Sequence, residues 1–185
     1  AKLQSQYVHA TVELMANLKV SAETYQTRPN KVKIIMTSDQ IGTIVRGFDG
    51  KLFWEKGTMT GVRLLEGQEL ADAIRETAVF EKVTTWNDYY TKAEVIGSDS
   101  VAGAMCFKVR VVPKESPEQT WFFDKSSGLF VKMIMTTTTQ MGTVPAEMTF
   151  SDYRKTGNVM TPFRVTTSAA GLNMARVIDS VAHNI

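Results

Sequence analysis

The sequence predicts a mainly β protein of the α+β class, built on a large antiparallel sheet of about eleven strands with one or two helices. Three observations support this prediction. Thr, Val and Ile account for 50 of the 185 residues, and their branched side chains fit a pleated strand better than a helix. Most segments alternate apolar and polar residues with a period of two. The connections between them are too short for parallel crossovers.

The first half of the chain opens with a clear alternation over residues 7–15, which places Val8, Ala10, Val12 and Leu14 on one face. This is the pattern of a half-buried strand. Further strands of the first half are predicted at 20–25, 31–37, 41–48 and 51–55.

Two connections in this half carry turn residues. Asp49-Gly50 predicts a hairpin with a type I′ turn, because both residues tolerate positive φ. Residues 57–67 are polar and interrupted by glycines, so they predict a connection without a strand of its own.

A helix is predicted over residues 68–80. Its apolar stripe recurs at i, i+3, i+4, i+7 and i+8 and consists of Leu70, Ala73, Ile74, Thr77 and Ala78. Glu69 and Asp72 lie in its first turn, where the helix dipole favours acidic groups. A second, short helical turn is predicted at 85–90.

The second half returns to strand patterns. Gly-containing hairpin loops are predicted at 124–128 and 155–158. No linker, repeat or low-complexity tract divides the chain, so residues 1–185 predict a single domain. The predicted strands of this half are 93–96, 101–112, 119–123, 129–138, 146–153, 160–168 and 173–183.

Composition excludes several classes of protein. The net charge of +2, from 21 basic and 19 acidic residues, is too balanced for a nucleic-acid surface. Cys106 is the only cysteine, so no intrachain disulfide can form, and its apolar neighbours predict a buried, inert thiol. No segment reaches the ~18 apolar residues of a membrane-spanning helix, and no secretory leader pattern opens the chain.

The sequence predicts no catalytic site, no metal site and no cofactor. Its two histidines, His9 and His183, lie near opposite ends, one within a strand and one at a strand end. Hydrolase, phosphate-loop, dinucleotide and zinc-protease motifs do not occur. The segment 57–61 has the glycines of a nucleophile elbow but Met59 at its centre.

The strands offer more apolar surface than one helix can cover. The sheet could close on itself, fold into a sandwich, or curl around the helix and leave an apolar ligand cavity. Met36, Met133, Met135 and Met148 all fall in strand patterns. Such flexible side chains suit surfaces that accept variable apolar ligands, and they also fill gaps in ordinary cores.

A series of short elements lies in a recognisable order along roughly residues 20–184. These elements are Pro29-Asn30-Lys31, Gly47-Phe48-Asp49-Gly50 with Trp54, Gly61 to Gly67 before the helix, Tyr90, Val95-Ile96-Gly97, Val101-Ala102-Gly103, Trp121 to Asp124 with Gly128-Leu129, Ser151 to Arg154, and Thr161-Pro162-Phe163. None of them is specific by itself, but in their order and spacing the sequence resembles the LolA-like outer-membrane lipoprotein-sorting protein family.

The resemblance implies an incomplete (half) β-barrel wrapped around one or two helices, with a hydrophobic cavity between them. It implies a non-enzymatic periplasmic carrier of acyl chains of lipids or lipoproteins, with membrane-associated donor and acceptor proteins. It implies neither nucleic-acid binding nor stable membrane insertion. The signal peptide would lie outside this chain, which is either whole or a fragment of a longer parent. Unlike this chain, the family's proteins usually open with a helix in the concave face.

The alternative hypothesis is a structural or sensory interaction domain that packs on a partner or a fused domain. Strand facing alone predicts the residues that line the cavity, because the family's motif residues here are structural. They are Val12, Leu14, Ile34, Met36, Trp54, Leu70, Ile74, Met133, Met135, Met148 and Phe150.

Overall fold

The computed structural model describes residues 3–14, 18–40, 42–58, 61–67, 69–70, 73–74, 86–114, 116–139 and 142–185. These residues form thirteen strands and one helical turn, Trp86–Tyr89, and residues 67, 69, 70, 73 and 74 are also helical. The strands are β1 Ser5–Leu14, β2 Leu18–Thr27, β3 Lys31–Ser38, β4 Gly42–Phe48, β5 Phe53–Gly57, β6 Gly61–Leu64, β7 Tyr90–Val101, β8 Ala104–Pro113, β9 Gln119–Asp124, β10 Phe130–Thr139, β11 Gly142–Thr156, β12 Val159–Ala169 and β13 Leu172–His183.

The strands form one open antiparallel sheet, with β6 and β7 at its edges. Its order is β6-β5-β4-β3-β2-β1-β13-β12-β11-β10-β9-β8-β7. The mainly β, antiparallel prediction is therefore confirmed, whereas wrapping of the sheet around a helix stays a prediction. Among the described residues, no helix is long and apolar enough to cross a membrane.

In the part of the chain that the structure describes, the sheet contains thirteen strands, whereas the sequence predicted about eleven. The connection predicted at 57–67 contains β6, which pairs with β5 through Gly57–Gly61 and Trp54–Leu64. The sequence pattern missed β6 because the strand is four residues long and its alternation is correspondingly short. As an edge strand, it also has a hydrogen-bonded neighbour on one side only.

The chain divides into two compact units. Unit 1 comprises Ala1–Thr85, Lys155–Val159 and Arg176–Ile185, and unit 2 comprises Trp86–Arg154 and Met160–Ala175. In unit 1 a core cluster joins strands β3 to β5 to the helical residues and consists of Val32, Phe48, Phe53, Leu65 and Ala73. The first half of the predicted helical stripe thus packs on the sheet, while Thr77 and Ala78 lie outside the described residues.

The hairpin at Asp49-Gly50 is confirmed, but its predicted turn type is wrong. Phe48 pairs with Phe53, so the loop has four residues, and of the two turn residues only Gly50 has positive φ, at 103°. The Asp49 carboxylate accepts hydrogen bonds from the backbone N–H of Lys51 and Leu52, both at 2.8 Å. These bonds lower the pKa of Asp49 and stabilise a longer turn.

The β7–β8 hairpin also differs from the predicted strands. Gly97 does not end a strand, because the pairing of β7 with β8 shifts register between Val95 and Gly97 and then continues to Val101. The turn falls at Ala102 and Gly103, whose φ values are 49° and 84°. Two positive φ values are typical of a type I′ turn, and alanine at its first position concealed it in the sequence.

The predicted hairpin loop 124–128 is confirmed, with Gly128 at φ 71°. Hydroxyl groups and backbone N–H groups of Ser126 and Ser127 donate to the Asp124 carboxylate at 2.7–3.1 Å. These hydrogen bonds lower the pKa of Asp124 to about 2. The loop is therefore organised by one ionised side chain.

Gly47 is required by the aromatic ring opposite it. It pairs directly with Trp54 across β4 and β5, and a Cβ at Gly47 would lie 2.5 Å from the ring carbons Cε2 and Cζ2. The indole thus covers the bare backbone of the glycine, an arrangement that compensates for glycine within sheets.

We expect Gly47→Ala to destabilise the protein by about 1–3 kcal/mol, because the added methyl group displaces the indole. In a Trp54→Ala background the same substitution should be neutral or slightly stabilising, since alanine is less costly than glycine within a strand. Urea unfolding of the four proteins of this double-mutant cycle measures the difference. Equal effects in both backgrounds would show that Trp54 does not impose the glycine.

Candidate ligand-binding site

The predicted lining residues of β1 and β3 lie on the same face of the sheet in unit 1. Directly paired residues of an antiparallel sheet project to the same side. Val12 pairs with Val20, and Ala22 on the same strand pairs with Met36. Alternation then places all four predicted residues on this side, which we call the apolar face of unit 1: Val12, Leu14, Ile34 and Met36.

The apolar face of unit 1 has buried side chains at its centre and partly exposed side chains beside them. Val8, Ala10, Val20 and Ala22 on this face are 0–7% exposed. Val12, Leu14, Ile34 and Met36 are each partly exposed. The face therefore presents apolar side chains that are not completely packed by the protein itself.

The helical residues cover one part of this face. Leu70 and Ile74, both predicted to line the cavity, pack with Ile34 against the cluster that contains Val32, Phe48 and Phe53. Leu70 and Ile74 thus share a face with the predicted residues of β3. Their contacts are with the β3–β5 part of the sheet.

Trp54 does not belong with these residues. It pairs with Gly47, which itself pairs with Lys33. Lys33 alternates with Val32 and Ile34, so Trp54 lies on the opposite face. Strand facing in the sequence had suggested a lining role, but the ring instead covers Gly47.

A row of charged side chains crosses the apolar face of unit 1 beside the core cluster. Arg46, Glu55 and Arg63 are directly paired across β4, β5 and β6. Arg46 Nε donates to Glu55 Oε2 at 2.6 Å, and Arg63 Nε donates to Glu55 Oε1 at 3.1 Å. Arg63 also donates to both Glu69 carboxylate oxygens, at 2.7 and 2.8 Å. This bidentate pair joins the helical residues to the edge of the sheet.

Glu55 is the most buried member of this row, with 9% of its side chain exposed. Burial acts to raise its pKa, but the hydrogen bonds and charges of Arg46 and Arg63 outweigh burial and hold the pKa below its usual value. Glu55 is thus ionised and compensated. This row is not predicted by the sequence, because the alternation pattern assigns strand faces without pairing charges.

In unit 2 the structure also brings its predicted lining residues together. Met133 pairs with Met148, and Met135 pairs with Ala146, which is 3% exposed. Phe150 follows Met148 on the same side of β11. We call the side of the sheet that carries these residues the apolar face of unit 2.

An aromatic cluster extends the apolar face of unit 2. Met133 pairs with Trp121, and Phe130 lies 5.2 Å from Trp121 and 4.7 Å from Phe150 between ring centroids. Trp86 and Tyr90 stack at 4.1 Å, and both meet Trp121 edge-on. The members of the cluster are Trp86, Tyr90, Trp121, Phe123, Phe130 and Phe150.

Of this cluster, only Phe150 was predicted from the sequence as a lining residue. The run Trp121-Phe122-Phe123 was the available signal, since its first and third residues share a face. A register shift between Phe130 and Lys132 brings Phe130 onto that face as well. Such a bulge reverses the expected alternation and cannot be read from one strand.

His9 forms the one arrangement that resembles catalytic machinery among the described residues. Its Nε2 lies 3.0 Å from Ser21 Oγ, and its Nδ1 lies 3.2 Å from Asp179 Oδ2. A nucleophile also needs donors for a developing oxyanion. Ser21 and Ala22 are paired on both sides by β1 and β3, so their backbone N–H groups belong to the sheet. The group therefore lacks an oxyanion hole at Ser21.

Neither Cys106 nor a metal centre provides a reactive group in the described part of the chain. Cys106 is fully buried, as predicted, and burial raises the pKa of its thiol. Among the described residues, no group of three His, Cys, Asp or Glu side chains could hold a metal ion.

Several solved structures share the architecture of this chain. A DUF1329 family protein from Desulfovibrio piger has a TM-score of 0.72 at 14% identity, covering 100% of this chain and 87% of its own. A putative outer membrane lipoprotein-sorting protein domain from Vibrio parahaemolyticus has a TM-score of 0.65 at 10% identity, with coverages of 98% and 86%. A LolA superfamily protein from Nitrosomonas europaea has a TM-score of 0.66 at 10% identity, with coverages of 97% and 85%.

This chain has a LolA-like fold. The resemblance identified in the sequence is thereby confirmed at the level of the fold. No protein-family model matches the sequence, and no curated protein matches it. At 10–14% identity these three neighbours establish the architecture and do not identify a ligand.

We expect Glu55→Gln to destabilise the protein by about 1–3 kcal/mol at neutral pH, because two arginines beside a buried position lose their carboxylate. The arginines are 35% and 40% exposed, so solvent screening keeps the loss below that of a fully buried pair. The pKa of Glu55 is lowered by folding, so its stabilisation is complete above the unfolded pKa and disappears as the pH falls through the folded pKa.

The measurement is urea unfolding of both proteins between pH 7 and pH 3, with the exposed Glu66→Gln as control. The difference between wild type and Glu55→Gln should shrink below about pH 4. A difference that stays constant down to pH 3 would contradict the ionised role of Glu55.

Proposed function

We propose that this protein is a non-enzymatic carrier domain for acyl chains of lipids or lipoproteins, with the apolar face of unit 1 as a binding site. The observation that carries the proposal is the partly open apolar face of unit 1, where Val12, Leu14 and Met36 remain partly exposed beside a buried centre. Soluble proteins expose such surfaces mainly where something binds. The LolA-like fold supports the proposal, since one structural neighbour is described as an outer membrane lipoprotein-sorting domain.

The chemistry of the lining agrees with a carrier. Methionine adapts to different apolar shapes, and the apolar faces of both units carry methionine side chains. Burial of an alkyl chain contributes ~0.8 kcal/mol per methylene. We therefore propose a periplasmic role for residues 1–185 as one carrier domain, with membrane-associated donor and acceptor proteins. Recognition by apolar contact also fits the net charge of only +2.

Binding of a neutral alkyl ligand tests the proposal. We expect the delipidated protein to enhance the fluorescence of the methyl ester of cis-parinaric acid, and fatty-acid methyl esters should compete. Each two added methylenes should strengthen competition roughly tenfold until the site is filled. Absence of binding, or an affinity independent of chain length, would contradict a carrier of acyl chains.

Adjacent residues of one strand supply matched variants that locate the site. Met36 lies on the apolar face of unit 1 and Ile35 on the opposite face; Met133 and Ile134 are related in the same way in unit 2. We expect Met36→Glu to weaken binding to the apolar face of unit 1 by tenfold or more, since a buried carboxylate opposes an alkyl chain. Met133→Glu should do the same for any ligand bound to the apolar face of unit 2. Ile35→Glu and Ile134→Glu should leave the affinity unchanged. If the two variants of a pair weakened binding equally, the face that this pair tests would not be a binding site.

A second candidate function is an interaction domain, and the β7 edge favours it. Residues 91–100 of this edge strand are all exposed, and Val95 and Ile96 are 61% and 49% exposed. A long exposed edge can accept a strand from a partner chain. This function would be preferred if no alkyl ligand bound and Val95→Lys abolished association with a partner.

A further inference from the structure

Arg176 lies on the apolar face of unit 1. Its strand, β13, is the neighbour of β1, and the Asp179 carboxylate accepts a hydrogen bond from Thr11 Oγ1 at 3.1 Å. Thr11 alternates with Ala10 and Val12, so Asp179 lies on the opposite, polar face. Arg176 is three residues away along the strand and therefore projects to the apolar face, on the same side as Ile178, which is 7% exposed.

The position of Arg176 along this face follows from two contacts between β1 and β13. The backbone N–H of Asn184 donates to the carbonyl of Ser5 at 2.8 Å, and Thr11 donates to Asp179. The two strands thus run in opposite directions. Because the strands are antiparallel, going from Asp179 to Arg176 along β13 corresponds to going from Thr11 toward Leu14 along β1. Leu14 is a predicted lining residue and is partly exposed.

Arg176 differs from the other arginines of this face in having no carboxylate. Arg46 and Arg63 both pair with Glu55, and Arg63 pairs with Glu69 as well. Arg176 forms no hydrogen bond and no ion pair with any residue that the structure describes. It is partly buried, and desolvation lowers the pKa of its guanidinium.

A guanidinium that is withdrawn from water without a partner is costly. That cost is offset when an anion binds to it, and arginine suits carboxylate and phosphate groups because its planar N–H donors can bind them in pairs. The neighbouring apolar side chains would at the same time accept a hydrocarbon chain. The surroundings of Arg176 thus match a molecule with an anionic end and an apolar body.

We propose that Arg176 binds the anionic headgroup, a carboxylate or phosphate, of the amphiphile whose chain lies on the apolar face of unit 1. This inference rests on the proposed function and adds the chemical class of the ligand to it. The headgroup lies at the Leu14 end of the face, and the chain extends along β1 to β3. Charge, in addition to apolar contact, then selects the ligand.

The test compares two probes with the same chain, cis-parinaric acid and its methyl ester, at pH 8. We expect wild type to bind the acid at least about tenfold more tightly than the ester. Arg176→Met should abolish this preference, so that the variant binds the acid and the ester with equal affinity. Arg176→Lys should retain part of the preference because it keeps the charge. The exposed Arg164→Met is the control and should retain all of it.

The outcomes separate this inference from the proposed function. Equal binding of the two probes by wild type, or loss of the preference in Arg164→Met, would overturn the headgroup role while the carrier function stands. Failure of both probes to bind would overturn the carrier function and the headgroup role together. If inorganic phosphate displaced the acid at a concentration similar to that of the acid, Arg176 would be a binding site for free anions. This result would overturn the headgroup role. Circular dichroism and urea midpoints of each variant verify that its fold is intact.

Discussion

Ala10 pairs with Ala22, Ala22 with Met36, and Met36 with Ile44, in one line across β1 to β4. This line keeps small, nearly buried side chains at the centre of the sheet and larger ones beside them. A slip of one residue in any of these pairings would exchange the two faces of a strand. Both the partly open lining of unit 1 and the polar group around His9 depend on this register.

The same register places charged side chains on an otherwise apolar face, and these charges have two different environments. Glu55 is buried between two arginines, so its charge is compensated within the protein. Arg176 has no such partner among the described residues. A compensated row serves to position the helical residues against the sheet, whereas an uncompensated cation is suited to an anion that arrives with a ligand.

Alternation in single strands predicted much of this architecture. The pattern at residues 7–15 and the apolar stripe at Leu70, Ala73 and Ile74 both led to the observed contacts. The prediction failed where a local signal was short or ambiguous. β6 has only four residues, Gly97 marks a bulge in place of a strand end, and the carboxylate of Asp49 selects a longer turn than Asp-Gly usually forms.

The sequence by itself determined the strand-rich composition, the helical stripe and which residues alternate within each strand. Only the tertiary structure decided which strands are neighbours and in what register, because these pairings join residues far apart in the chain. For that reason Trp54, hydrophobic and plausible as a lining residue, covers Gly47 on the opposite face. For the same reason Trp121, Phe130 and Phe150, from three different strands, meet in one cluster, and Arg176 is placed by a contact between Thr11 and Asp179.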